Sequence, residues 1–339
     1  MSKKLNGAQI VVERSANSAE RENRRARLII SPRESNFRAC ADRDAPRKPV
    51  QQTKPRTSMQ QFSIIAGSML GIILVASLGQ LLRMRLRIRR ATRAAYKLIQ
   101  DDNSGSSVGY SALPDCVRRY LNRAIPAGAG TITSAELHID GEIRPTPKAD
   151  WRELKATEVV VLNKPALIWD AVIKTRRIRR SAQLIYVDET GLGSIKIFGV
   201  IPFMESHGDE ADISLLSRFL TEAVWFPAAL APGGPVSWKA LDENSARAVI
   251  RDGALQASAT FRFDENGDVA DVSSDDRYRD YRGSFVHEHF VMRCTAWQEF
   301  DGFRLPSQVS FAWQNHKGSG QEFEYARFSL RDIDMSFRS

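Results

Sequence analysis

Arg218 and Glu222 stand four residues apart, the spacing that puts two side chains on one face of a helix. The run around them, DISLLSRFLTEAVWFPAAL from Asp212 to Leu230, is mostly apolar. A carboxylate beside a guanidinium in such surroundings can orient a polar headgroup or move a proton. It can equally be a salt bridge that fixes the helix on its neighbours. Aromatic residues suited to lining an apolar groove accompany the pair: Phe219, Trp225 and Phe226 nearby, and Trp169 upstream. Trp169, Arg218, Phe219, Glu222, Trp225 and Phe226 therefore form the candidate ligand-binding set, and no residue is assigned a catalytic role.

Other chemistry-bearing clusters are weaker. His287-Glu288-His289, if in a strand, places two imidazoles on one face, but no third metal ligand follows, and a surface pair is the simpler reading. Ser206-His207-Gly208-Asp209-Glu210 gathers a hydroxyl, an imidazole and acids, yet neighbours in sequence cannot adopt triad geometry and no GxSxG turn is present. Asp275-Asp276 with Arg277 and Arg279 reads as an exposed ion-pair loop. Gly191-Leu192-Gly193 lacks the lysine and helix of a phosphate loop, and no dinucleotide fingerprint follows a strand. Cys40, Cys116 and Cys294 are scattered, which excludes a disulfide framework and a zinc site and leaves open one pair, Cys116 with Cys294. Neither a cofactor nor a metal is expected.

The elements that must position these residues are mainly strands. From Thr131 onward the apolar period is two, giving strand candidates from Ala135–Ile143 through Glu322–Ile333, with Ser284–Glu299 as one of them. Asp252-Gly253, Asn266-Gly267 and Asp301-Gly302 punctuate them as hairpin turns. This succession predicts an antiparallel meander in a mainly β (α+β) fold, a curved sheet or half-barrel. The helix Asp212–Leu230, capped by Asp212 or Ser214 and either bent or ended in its regular part at Pro227, would pack on it as a plug. A first helix, Ser111–Ile125, carries an apolar stripe of Val117, Tyr120, Leu121 and Ala124.

Before this domain lies a different kind of sequence. Phe62 to Leu82 is 21 residues without a charge. At about 1.5 Å per residue it is long enough for the hydrocarbon core of a bilayer, and it predicts one transmembrane helix. The net charge of +9 is unevenly spread: residues 1–58 hold 14 basic and 6 acidic residues, and residues 83–97 hold 7 basic and no acidic ones. The remainder is acidic overall, which argues against nucleic-acid binding and for a stem near anionic headgroups. Residues 1–58 read as a disordered basic tail, 62–82 as the membrane helix, 83–110 as basic stem and linker, and 111–335 as the globular domain. Charge bias puts the domain on the cytoplasmic side of a bacterial inner membrane, more clearly if translation starts at Met59. Gly67 and Gly71 form a GxxxG strip that would permit a homodimer.

Leu113-Pro114-Asp115-Cys116-Val117-Arg118-Arg119-Tyr120-Leu121 resembles the LPxxVxRYL-type opening of an uncharacterised bacterial domain-of-unknown-function family. Pro165 through Trp169-Asp170-Ala171, Asp188 with Gly191 and Gly193, and Arg218-Phe219-Leu220-Thr221-Glu222 with Trp225, Pro227 and Leu230 resemble its later landmarks. Asp301-Gly302 and Pro306 complete the match, which spans roughly Leu113 to Gln314. The resemblance implies a domain type and no activity. The strand-rich layout with a crossing helix also resembles lipoprotein-carrier folds, by analogy of fold alone.

Three readings follow. The first is a membrane-anchored domain, with the lipid bilayer as partner, that binds a lipid or other hydrophobic ligand. The second is a structural or partner-binding membrane protein with a filled core. The third, an enzyme around Arg218, Glu222 and His207, is weakest because no nucleophile–base pair is visible.

Overall fold

The computed structural model describes residues 110–175, 179–198, 201–281, 284–314 and 322–338, plus the isolated helical positions Ser68, Val75, Gly79 and Leu86. The predicted tail, Met59, the Gly67–Gly71 strip, most of the predicted membrane helix and most of the stem lie outside the described residues. Among the described residues, no helix is long and apolar enough to cross a membrane.

Alternation of apolar and polar residues builds one antiparallel sheet of 13 strands. The first six are β1 (Ile132–Ile143), β2 (Arg152–Val161), β3 (Ala166–Lys174), β4 (Arg179–Val187), β5 (Thr190–Ile197) and β6 (Ile201–Ser206). After the long helix come β7 (Val236–Ala240), β8 (Ser245–Asp252), β9 (Leu255–Phe263) and β10 (Val269–Ser274). A separate ribbon of β11 (Tyr278–Tyr281) and β12 (Ser284–His287) interrupts them. β13 (His289–Phe300), β14 (Phe303–Gln314) and β15 (Glu322–Phe337) finish the chain. The spatial order is β6-β5-β4-β3-β2-β1-β15-β14-β13-β10-β9-β8-β7. Two meanders are thus joined where the last strand pairs with the first, Leu137 opposite Ile333.

The sheet curls until distant strands meet. The Tyr186 hydroxyl of β4 donates to Asp252 Oδ2 at the end of β8, at 2.9 Å. The Ala254 amide in the β8–β9 turn donates to Glu189 Oε2 in the β4–β5 turn, also at 2.9 Å. One interior face results, lined by Leu137, Ile139, Leu154, Val160, Tyr186, Phe261, Phe290 and Phe311, all essentially buried.

Helix α1 (Asp115–Ala124) buries the predicted stripe of Val117, Tyr120, Leu121 and Ala124, with Pro114 at its N-cap. Arg304 and Arg123 both reach the buried Asp268 carboxylate, which ties α1 to the sheet. Helix α2 (Asp209–Glu222) starts three residues earlier than predicted, capped by Gly208. It ends at Glu222, where the chain tightens into two short 3-10 turns, Ala223–Trp225 and Pro227–Leu230. Pro227 has no N–H to continue an α-helical ladder, and it sits in the first turn of the second 3-10 segment. α2 packs on β5 in one half of the sheet and β9 in the other. At Gly191 the approach is so close that a Cβ would lie 2.6 Å from the Ala211 carbonyl oxygen, and the Gly191 amide donates to Asp212 Oδ1 at 2.6 Å.

Two expectations are corrected. β6 falls outside the expected strands, and its place at the edge of the sheet accommodates Pro202, since one side of an edge strand's backbone needs no partner. The expected strand Ser284–Glu299 breaks at Glu288 into β12 and β13, which belong to different sheets. The pair left open does not form: Cys116 and Cys294 are free thiols, and burial raises the pKa of both.

Candidate functional site

On the interior face of β2, buried positions alternate as Leu154, Ala156, Glu158 and Val160. Glu158 is therefore a carboxylate pointed into the core, fully inaccessible to water. Its neighbour across the ladder is Trp169 on β3. Opposite stands α2, whose residues Ser214, Ser217, Arg218, Thr221 and Glu222 recur at helical spacing and make one polar stripe. From Ser217 to Glu222 that stripe is buried. Leu215, Leu216, Phe219 and Leu220 bury the rest of the helix.

The charged groups meet where stripe and sheet face each other. Arg218 Nε donates to Glu222 Oε2 at 2.9 Å, and Arg218 Nη2 lies 3.7 Å from Glu158 Oε2. Arg277, on the connection after β10, brings its Nη2 to 3.6 Å from Glu222 Oε1. Both guanidinium groups lie over aromatic rings, Arg218 over Trp169 at 4.8 Å and Arg277 over Phe290 at 3.9 Å.

The cluster is only partly satisfied. Glu158 Oε1 and Oε2, Arg218 Nη2, Arg277 Nη1 and Trp169 Nε1 are buried without a hydrogen-bond partner. Such atoms cost stability wherever they are left unpaired, so their concentration at one place is informative. Burial raises the Glu158 pKa well above the usual carboxylate range. The Glu222 charge pushes the same way, and the two arginines do not offset it. Burial lowers the Arg277 pKa; at Arg218 burial also pulls down, but the Glu222 and Glu158 charges outweigh it. Tyr325 of β15 completes the surroundings, its hydroxyl pKa raised by burial and lowered by both arginines.

The structure brings Trp169, Arg218 and Glu222 of the candidate set into this cluster. Phe219 and Phe226 pack against each other nearby, their centroids 5.1 Å apart and their planes tilted by 53°. Trp225 donates its indole N–H to the Pro306 carbonyl at 2.9 Å. All six candidates are 5% exposed or less. Sequence reasoning missed Glu158 and Arg277. Glu158 was findable, since it interrupts an alternating apolar face. Arg277 was placed in an exposed ion-pair loop, whereas it is buried; no periodicity in that loop marks which side chain turns inward.

The remaining candidates lie elsewhere. Ser206 and His207 line a separate cleft of about 130 Å³ with Gln183, Ser194 and Glu205. His207 is exposed and lies outside the Arg218–Glu222 cluster. His289 pairs with Asp275 Oδ1 at 2.8 Å while His287 packs on Tyr278, so the two imidazoles take different partners. No group of three or more His, Cys, Asp or Glu suited to a metal ion occurs among the described residues.

Residues 107–328 match the family described as a family of unknown function, DUF6544. No curated protein matches the sequence. Among solved structures, a Vibrio parahaemolyticus domain named for outer membrane lipoprotein sorting aligns at 7% identity and a TM-score of 0.36, covering 67% of this chain and 94% of its own. A DUF1329 family protein from Desulfovibrio piger aligns at 9% identity and a TM-score of 0.32, covering 61% and 87%. A porin-like protein from Bacteroides uniformis aligns at 7% identity and a TM-score of 0.24, covering 61% and 98%.

Proposed function

The chain belongs to the DUF6544 family, whose function is unknown, and from that premise we propose that its curled sheet binds an amphiphile with an anionic polar end. The observation that carries this reading is the cluster of unpartnered buried polar atoms at Glu158, Trp169, Arg218 and Arg277. Three of the four residues offer donors: the two guanidinium groups and the indole. Two guanidinium groups with unpaired donors beside an indole N–H suit a carboxylate or phosphate group. The surrounding aromatic and aliphatic side chains suit an acyl chain.

α2 occupies the interior, so binding on this proposal requires the helix to lift from the sheet. Its polar stripe favours such a motion, because a helix held partly by hydrogen bonds loses less on meeting water than one held by apolar packing alone. The membrane anchor over Phe62–Leu82, a cytoplasmic-facing domain and the bilayer as ligand source belong to the same proposal.

The test is a titration of delipidated full-length protein in detergent with a fluorescent fatty acid and a fluorescent anionic phospholipid. Saturable uptake is expected, weakened at least about tenfold by Arg277→Met, since a buried charge-assisted bond is worth about 1.5–3 kcal/mol. Absence of uptake at every concentration would leave the second reading, a structural or partner-binding protein with a filled core. That reading is favoured by the complete burial of all six candidate residues.

A further inference from the structure

Just after β5 and at the start of β6, three large apolar side chains are exposed. Phe198, Ile201 and Phe203 are 59%, 55% and 56% accessible. Phe198 adopts φ of 53°, a left-handed conformation that costs a phenylalanine strain while its ring stays in water. Its amide donates to the Arg179 carbonyl at 2.8 Å, tying the turn to the start of β4. The β5–β6 ladder passes from Met204 to Pro202 over Phe203, so Phe203 has no ladder partner and stands out at the rim.

Basic residues back this rim. Arg180 lies over the Phe203 ring at 4.9 Å, and its Nε has no hydrogen-bond partner. Arg179 is exposed beside it. Lys174, opposite Arg179 in the ladder, is held by Glu153 at 3.2 Å. A second cation, Arg152, is near enough to Arg180 to add to burial in lowering its pKa.

We propose that this rim, Phe198, Ile201 and Phe203 with Arg179 and Arg180 behind them, docks on the surface of an anionic lipid bilayer. A leaflet offers an apolar layer under a negatively charged one, and the rim presents apolar tips with Arg180 over one of them and the exposed Arg179 on the adjoining face of β4. Strand pairing with a second copy is the competing occupant, since β6 is the terminal strand of the sheet. Two features blunt that edge: Pro202 has no N–H to donate, and the register shift at Phe203 breaks the ladder. The surface is separate from the buried cluster, and docking stands whether or not the interior takes a ligand.

Hydrogen exchange of the full chain in nanodiscs tests it. One set of discs is phosphatidylcholine alone; in the other, phosphatidylglycerol makes up about a third of the lipid. Amides of residues 197–204 are expected to exchange at least about tenfold more slowly in the anionic discs, with β8 and β9 unchanged. The effect disappears in the Phe198→Asn/Phe203→Ser double variant and in Arg179→Glu, whose substituted side chains do not contribute to the core. Equal exchange in both discs overturns the proposal. So does slowing that survives either variant, or slowing that follows the number of copies per disc instead of lipid charge. An interior ligand would instead slow β2 and α2, so the two proposals fail separately.

Discussion

Glu158 and Glu222 face the same two arginines and are expected to respond oppositely to neutralisation. Glu222 holds Arg218 by a hydrogen bond and Arg277 by charge. Glu222→Gln leaves buried guanidinium groups without their carboxylate and should lower stability to urea by about 3–5 kcal/mol. Glu158 accepts no hydrogen bond, and its folded pKa is raised. The folded protein therefore binds that proton more tightly than the unfolded chain does. The associated stability is complete below the ordinary carboxyl pKa of about 4 and is lost as pH climbs from there towards the raised folded value. Glu158→Gln should remove that slope, matching the wild type in acid and exceeding it at higher pH, as read from urea midpoints measured across pH. A midpoint for Glu158→Gln that stays below wild type at every pH would contradict this. Half of the cluster was legible in the sequence, because Arg218 and Glu222 carry their geometry in a spacing of four. Glu158 required reading a charge as an inward position of an alternating strand. Arg277 is positioned by tertiary packing alone.

Helix α2 depends on close approach to the sheet. Gly191→Ala should push the first turn of α2 off β5 and cost about 1–3 kcal/mol, seen as a lower thermal midpoint and faster exchange in α2. At α1, burial pushes the Asp268 pKa up, but hydrogen bonds and charge from Arg304 and Arg123 win and hold it below the usual carboxylate range. That contribution is present above the ordinary aspartate pKa and fades as pH falls through it towards the lowered folded value. Asp268→Asn should therefore destabilise at neutral pH and flatten the acid limb of the stability profile; an unchanged acid limb would argue against the pairing. Both helices were legible from apolar stripes and turn chemistry. The early start of α2 was not, because Gly208 caps through its backbone and Asp209-Glu210 read as loop. β6 carries Pro202, which a strand accommodates at an edge or a bulge, and edge position is a property of the assembled sheet.

The curl of the sheet, which brings β4 to β8, was legible only in outline: alternation and hairpin turns predict a meander, but nothing local says that these two strands come together. One of the bonds between them is that of Tyr186 with Asp252, where burial and the Asp252 charge raise the tyrosine pKa. Tyr186→Phe should cost about 1–2 kcal/mol and loosen the β4–β5 and β8–β9 turns together, an effect that hydrogen exchange would resolve. A curled sheet with an under-satisfied charge cluster on its interior face is the ground for the proposed amphiphile with an anionic end. Native mass spectrometry of the full chain released from membranes in mild detergent tests this most directly. A retained anionic lipid or fatty acid at one per chain, lost in the Arg218→Met/Arg277→Met double variant, is the predicted spectrum. Bare chain in the wild type, or the same adduct in the double variant, would contradict it.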